Sequence, residues 1–347
     1  MAWEKLGTAS VTGAVANTSW KELARGTGSG GTTIDSGTFT AKDNIMVLGH
    51  ITQGRVYLTY NGSTGNEYAH RRSEEGGSDS TQTSQDKLDM SRNLGEDVFF
   101  VGDVTNIADQ EKLGIYQQTS QNSAGAGNAP KRQEWVTKYV PSSLSTNITS
   151  VKITTDSGTY DSNDQIVVLG YDNDEADSGT NFWQELASVT RTDSGSTLES
   201  GNFAAKKYLM VEACTIPANN GFKGRLEFGH SNGTMDTGSN YADRYEADGG
   251  SDSTNASHQY IYAYTNHDDN IQHLKMFIVN KSDKEKLVLW SASSGGSAAG
   301  AGNAPQRRKG VAKWTNTSNQ ITNIRLNNQV SGGDAASGSF IKVYGAD

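Results

Sequence analysis

The chain has 347 residues, of which 39 are glycine and four are proline, with one cysteine and a formal net charge of −9. This length exceeds what one hydrophobic core usually supports, so two domains are expected, and the single Cys214 excludes an internal disulfide. The acidic balance argues against a nucleic-acid partner, and no apolar run is long enough for insertion into a membrane.

The chain opens with an arm over residues 1–16, whose sequence at 3–6 resembles that at 20–23 and indicates a spare first strand. The arm has no basic region followed by an apolar stretch, so synthesis in the cytoplasm is expected. After the arm, short apolar runs and alternating segments predict strands, separated by turns rich in Gly, Asn, Asp and Ser. Examples lie at residues 44–51, 55–60 and 98–101.

This pattern then occurs a second time. The hexapeptide Gly-Gly-Ser-Asp-Ser-Thr is identical at 76–81 and 249–254, and Trp-x-Glu-Leu-Ala occurs near the start of each half. A period this long indicates a duplicated domain rather than a solenoid repeat. We predict a first repeat over 17–172, an acidic linker over 173–180 and a second repeat over 181–347.

Each repeat contains roughly eight or nine strand-like segments by this criterion. In the alignment of the repeats, residues 98–101 are matched with 276–279 because both runs are apolar. Many short strands in about 155 residues are typical of a two-sheet sandwich. The predicted fold class is therefore all-β, with two tandem homologous β-sandwich domains of jelly-roll-like type.

The sequence Ala-Gly-Ala-Gly-Asn-Ala-Pro is shared without change by residues 124–130 and 299–305. A phosphate-binding loop would need Lys and Ser or Thr directly after its last glycine, and Asn-Ala-Pro follows instead. We interpret the stretch as a small-residue loop that lets two backbones approach closely. Asn128 and Asn303, one in each copy, are candidates for contact with a ligand or a neighbour.

A basic and aromatic segment follows each copy of this loop. It contains Arg132 and Trp135 in the first repeat, and Arg307 and Trp314 in the second. Exposed aromatic rings can stack on a sugar, whereas rings on a sandwich strand more often lie in the core or at a subunit contact. All four residues are therefore candidates for an interface or a ligand contact, with burial in the core as the alternative.

Motifs for metal binding or catalysis are sparse. The acidic run around the linker offers Asp172, Asp174 and Asp177 as calcium candidates, but it lacks the Gly and the distal Glu of an EF-hand loop. The six histidines show no recognised ligand spacing, and no nucleophile motif occurs. We predict no catalytic residue, no metal site, no cofactor and no enzymatic activity.

The shared motifs together resemble a family of tandem-repeat virion structural proteins of marine viruses, including viruses of ammonia-oxidising archaea and related environmental phages. The clearest copies lie at residues 183–187, 249–254 and 299–307, and the resemblance covers nearly the whole chain. It implies a virion structural component made in the host cytoplasm and assigns no catalytic residue. The first repeat departs from the pattern where His70 precedes Arg71.

Two functions are therefore expected as alternatives. The first is a viral structural protein that self-assembles in the virion as capsid, capsid decoration or surface fibre, with copies of itself and other virion proteins as partners. A duplicated sandwich supports this because it offers two near-equivalent surfaces. The second is a carbohydrate- or receptor-binding module, with a cell-surface glycan as its partner.

Overall fold

The computed structural model describes residues 20–52, 55–90, 96–173, 180–218, 221–230, 233–264, 270–295 and 304–347. In these ranges no helix is long and apolar enough to cross a membrane. The predicted arm over 1–16 lies outside the described residues, as do Asn303 and most of the predicted linker.

Strands account for the regular structure of both repeats. The first repeat contains β1 Lys21–Thr27, β2 Thr33–Asp35, β3 Asn44–Ile51, β4 Tyr57–Tyr60, β5 Tyr68–Glu74, β6 Ser80–Gln85, β7 Leu88–Asp89, β8 Val98–Thr105, β9 Lys112–Ser120, β10 Lys131–Tyr139, β11 Val151–Thr154 and β12 Gln165–Tyr171. The second contains β13 Gln184–Thr190, β14 Thr197–Glu199, β15 Tyr208–Thr215, β16 Gly224–His230, β17 Thr234–Met235, β18 Tyr241–Ala247, β19 Ser253–His258, β20 Gln272–Val279, β21 Lys286–Ser294, β22 Gln306–Trp314, β23 Asn323–Asn328 and β24 Phe340–Ala346.

The sheet topology is the same in both repeats, and it confirms the predicted all-β class of two tandem β-sandwiches. The large sheet of the first repeat has the order β1-β12-β3-β8-β9-β10-β5-β6 and the small sheet β2-β11-β4-β7. The second repeat has β13-β24-β15-β20-β21-β22-β18-β19 and β14-β23-β16-β17. First and last strands are antiparallel neighbours in each repeat, as expected for a jelly-roll-like sandwich.

Each repeat has more strands than the eight or nine predicted. The additional ones carry little apolar periodicity: β7 and β17 have two residues each, and β6 and β19 are composed mostly of Ser, Thr, Asn and Gln. Strands of this kind pair through their backbones, so a search for alternating apolar residues does not find them.

Each large sheet is buried on both faces over part of its width, at β3, β8 and β12 in the first repeat and at β21 and β22 in the second. On β3, Ile45 and Val47 point into the core of the first repeat, whereas Met46 and Leu48 point outward and are also buried. The outward side chains pack against the outer face of the second repeat's large sheet. The layers therefore run small, large, large, small, with a third core between the repeats. This double burial explains the uninterrupted apolar run of β3.

The structure corrects one match between the repeats. Asn106 and Asn280 follow β8 and β20, and their side chains donate equivalent hydrogen bonds to backbone carbonyl oxygens. Relative to these residues, 98–101 corresponds to 272–275. The predicted match with 276–279 is wrong because it followed hydrophobicity alone, and the outer faces of the two strands differ in polarity.

Candidate functional site

The loop that joins β9 to β10, residues 121–130, is called the Gly loop here. Asn122, Ser123 and Gly125 have positive φ angles of 51°, 74° and 85°. The Asn122 side chain donates to the carbonyl oxygen of Ala129 at 2.8 Å and so closes the loop. A Cβ on Gly125 would meet no atom within 4 Å, so the predicted close approach does not explain this glycine. Its left-handed conformation does.

The Gly loop docks on the second repeat through its backbone. Lys313 Nζ donates to the carbonyl oxygens of Gln121 and Ser123 at 2.9 and 2.7 Å. The amide of Gly125 donates to Glu285 Oε1 at 2.6 Å, and Glu285 Oε2 lies 3.6 Å from Lys313 Nζ. Burial lowers the pKa of Lys313, and the nearby Glu285 opposes that shift. The loop thus supplies partners to a charge pair that solvent does not reach.

Arg132 forms a second link between the repeats, directly after the Gly loop. Its Nη2 lies 2.5 Å and its Nε 3.3 Å from the carboxylate of Asp252, and the two side chains are 4% and 3% exposed. Arg132 also pairs with Glu134 in its own strand at 2.9 Å. From the other side, Arg244 donates to the carbonyl oxygen of Pro130 at 2.9 Å. The candidate Arg132 is therefore an interface residue within the chain.

The second-repeat counterparts of these residues are placed differently. Arg307 is 55% exposed and pairs with Glu246 at 2.6 Å within its own repeat. Asn128 is exposed on the Gly loop, and Asn303 lies outside the described residues. The structure therefore brings Arg132 to the inter-repeat interface and leaves Arg307 at the surface.

Trp135 and Trp314 are fully buried in the cores of their own repeats. Trp314 Nε1 donates to Asp236 Oδ2 at 2.7 Å, and its ring stacks on Tyr241. A predicted contact with a ligand or a neighbouring subunit is wrong for both rings, because neither reaches the surface. The alternative, burial in the core, is what the structure shows.

The calcium candidate Asp172 already has partners. Its carboxylate lies 2.9 Å from Lys42 Nζ and accepts from the amide of Asp43 at 3.0 Å. The matching carboxylate of Asp347 pairs with Lys206 at 2.6 Å. Asp172 therefore ties the last strand of its repeat to β3, while Asp174 and Asp177 lie outside the described residues. Among the residues described, no group of three or more His, Cys, Asp or Glu could hold a metal ion.

One part of the first repeat's large sheet is uncovered. Leu113, Ile115 and Val136 are 55%, 62% and 52% exposed on the outer face of β9 and β10. These three residues are called the open face. The open face lines a groove of about 420 Å³, together with Thr81 and Thr83 of β6. The counterparts in the second repeat are buried in the core between the repeats: Leu287, Leu289 and Val311.

The open face is flanked by two ion pairs. Arg71 lies 3.5 Å from Asp79, and Lys138 lies 3.4 Å from Glu111. All four side chains are exposed, whereas the matching groups in the second repeat take part in the interface: Arg244, Asp252, Lys313 and Glu285. The first repeat thus presents, uncovered, a copy of the surface on which the Gly loop docks in the second.

A surface aromatic cluster in the second repeat was not identified from the sequence. Ring centroids of His258, Tyr260 and Tyr262 lie 5.0–5.6 Å apart, and the Arg225 guanidinium lies 4.9 Å from the Tyr260 centroid. These residues are called the tyrosine strip. The alternation Tyr-Ile-Tyr-Ala-Tyr from residue 260, absent from the first repeat, is the signal that could have indicated it.

The interface also contains a carboxyl group with a perturbed pKa. Burial raises the pKa of Asp97 to about 6, although Lys284 Nζ of the other repeat lies 3.7 Å away. Further along, Lys309 forms an ion pair with Glu134 across the repeats. The charged groups that meet here pair with each other or with backbone, so the arrangement is suited to holding two surfaces together.

No protein-family model matches the chain, and no curated protein matches it either. Among solved structures, it is similar to mouse laminin alpha1 chain domains LG4-5 at 10% identity and a TM-score of 0.20, with 98% of this chain and 93% of that chain covered. Neisserial surface protein A follows at 7% identity and a TM-score of 0.14, with 83% and 99% covered. Scores this low carry no argument, so the two tandem sandwiches rest on the chain's own strand order.

Proposed function

We propose that this protein is a non-enzymatic structural component of a virion that self-assembles with its own copies and with other virion proteins. The virion setting rests on the resemblance of the repeated motifs to virion proteins of marine viruses. The assembly role rests on one structural observation. This sandwich already associates once through the outer face of its large sheet, and the first repeat still exposes the matching surface.

The physical basis is the cost of uncovered apolar surface. Three adjacent large apolar side chains facing water, ringed by charged groups, are typical of a surface that another protein covers. Because these side chains are already about half buried, covering each of them fully contributes on the order of 1 kcal/mol. The open face is thus suited to association, while the groups at the inter-repeat interface are engaged in holding the repeats together.

The test is the size of the purified full chain in solution. Size-exclusion chromatography with light scattering, followed by electron microscopy, should show homo-oligomers whose mass increases with protein concentration. A monomer at every accessible concentration would contradict the proposal.

A second candidate function, carbohydrate or receptor binding, is favoured by the tyrosine strip. Half-buried Tyr rings beside an Arg offer stacking surface and hydroxyl groups for hydrogen bonds, as sugar sites require. Under this alternative, Tyr260→Ala and Tyr262→Ala should abolish binding on a glycan array. Lys87→Ala, at the position in the first repeat that corresponds to Tyr260, should not change it. A wild-type chain without signal on the array would remove this candidate.

A further inference from the structure

We infer that the open face is the site where a second copy of this chain docks, with the same face of each copy meeting across a two-fold axis. This inference rests on the proposed self-assembly and names its surface. The occupant is a second copy, and the contact is like with like.

The first support is the second repeat, which shows what this surface does when it is covered. At matched strand positions, Leu287, Leu289 and Val311 are buried against the other repeat. The same sheet position therefore already serves as a protein–protein contact in this fold. In the first repeat the apolar residue types remain, although nothing described in the chain buries them.

Continuity with the existing interface is the second support. Ile115 also lines a cleft between the repeats, of about 260 Å³, together with Phe277 and Leu289. The apolar surface therefore continues from the open face to the edge of the existing interface, beyond three residues.

A head-to-tail arrangement is less consistent with the charges. In that arrangement the second repeat of another copy would cover the open face. It would use the surface that corresponds to Leu48, Val101 and Val167 of the first repeat. Those counterparts are charged: Glu212, Lys275 and Lys342. Burying three charges against Leu113 and Ile115 would cost more than it gains.

The open face is instead complementary to itself. Each copy contributes both signs, in the pairs Arg71–Asp79 and Lys138–Glu111. A two-fold axis through the apolar centre can place Lys138 of one copy opposite Glu111 of the other, and the reverse. The projecting Val136 and Ile115 of one copy would then enter the groove that the open face of the other copy lines.

The first experiment measures the dimer dissociation constant of the full chain by light scattering or analytical ultracentrifugation. Ile115→Glu should weaken dimerisation about tenfold or more, because it places a charge at the centre of the contact. Thr33→Glu, an exposed strand position on the small sheet of the same repeat, is the matched control and should change nothing.

The second experiment exchanges charges. Lys138→Glu and Glu111→Lys should each weaken the homodimer, and an equal mixture of the two variants should form a heterodimer at close to wild-type affinity. If the wild type is oligomeric and Ile115→Glu leaves it so, the face is wrong and self-assembly stands. If the mixture fails to recover affinity, the two-fold contact is wrong. If the wild type is monomeric throughout, both proposals are wrong.

Discussion

The two repeats share one strand order, yet matched side chains lie in different surroundings. Leu289 of β21 is buried between the repeats, while Ile115, at the same position of β9, is mostly exposed. Arg132 is buried against Asp252, while Arg307 lies at the surface. The position of a residue along its strand determines the face of the sheet to which its side chain points. The neighbouring domain then determines whether that side chain is buried. Duplication of a sandwich therefore creates two surfaces with the same geometry and different energetics.

The cores of the two repeats also differ in which strand supplies a large aromatic side chain, and a smaller residue on the paired strand compensates for its volume. In the first repeat Trp135 of β10 lies across from Tyr116 of β9, and in the second Gly310 lies across from Trp290. A Cβ on Gly310 would lie 2.7 Å from the Trp290 ring and 2.6 Å from the carbonyl oxygen of Arg244. The indole thus comes from opposite members of the cross-strand pair, which keeps each core filled.

The largest expected difference between the repeats concerns the two arginines. Arg132→Ala should reduce the free energy of unfolding by about 3–5 kcal/mol, because it leaves the buried Asp252 carboxylate without its main partner. Arg307→Ala should reduce it by less than about 1 kcal/mol, because that ion pair is exposed on one side. Urea unfolding of both variants measures the difference. Equal losses would show that Arg132 does not stabilise the interface.

Leu289 and Ile115 give the next largest difference. Leu289→Ala should cost about 2–4 kcal/mol, because it opens a cavity in the core between the repeats. Ile115→Ala in monomeric protein should stay within about 0.5 kcal/mol of the wild type. Urea unfolding at low protein concentration tests this. Similar losses at both positions would mean that Ile115 is covered within its own chain.

Gly310 tests the compensation in the core. Gly310→Ala should cost about 1–3 kcal/mol, because the added methyl group overlaps Trp290 and a backbone oxygen. Gly127→Ala, on the Gly loop, is the control, since a Cβ there meets no atom within 4 Å. Thermal unfolding should separate the two variants. A neutral Gly310→Ala would mean that the indole moves freely, contrary to its close packing.

The smallest expected effect is on pH dependence, where one pair of matched positions carries titratable groups of opposite type. Burial raises the pKa of Asp243 to about 6, so its contribution to stability is greatest below pH 4 and is lost as pH rises through 6. Burial lowers the pKa of the matching His70, so its contribution is present above pH 6.5 and is lost as pH falls. The slope of stability against pH that one such group contributes cannot exceed about 1.4 kcal/mol per pH unit.

Two variants separate these contributions. Asp243→Asn should remove the loss of stability between about pH 4 and 6, and His70→Gln should remove the loss on acidification below about pH 6.5. Urea midpoints measured from pH 4 to 8 give the slope of stability against pH for each variant. This slope, and not the stability at any one pH, is compared with that of the wild type. Unchanged slopes in both variants would show that neither group differs in pKa between folded and unfolded chains.

Much of the fold could be predicted from the sequence, because duplication and strand periodicity are local signals. The shared Gly-Gly-Ser-Asp-Ser-Thr and the alternating strands indicated two sandwiches, whereas the contact of Arg132 with the other repeat was not predicted. The polar strands β6 and β19 could not be predicted, because they are held by backbone pairing and have no apolar alternation. The correct match of β8 with β20 could not be predicted either, because it depends on the position of each strand in its sheet. A period of two does not identify which strand lies next to which.

The candidate site was less accessible to prediction, because burial depends on the neighbouring domain. Met46 and Leu48 both lie on the outward face of β3, within an uninterrupted apolar run that is typical of a strand covered on both faces. Such a run does not identify what covers the second face. Trp314 and Tyr260 are both aromatic residues near strand ends, yet one fills a core and the other lies at the surface. Only the packed structure separates them.

The third core has a consequence for synthesis of the chain. Repeat 1 leaves the ribosome first, with Met46, Leu48 and Leu169 on one face and nothing yet made to cover them. Until the second sandwich forms, the nascent chain exposes this apolar sheet face, which can associate with other incompletely folded chains. Slow synthesis or slow folding of the second sandwich should therefore lower the yield of folded protein.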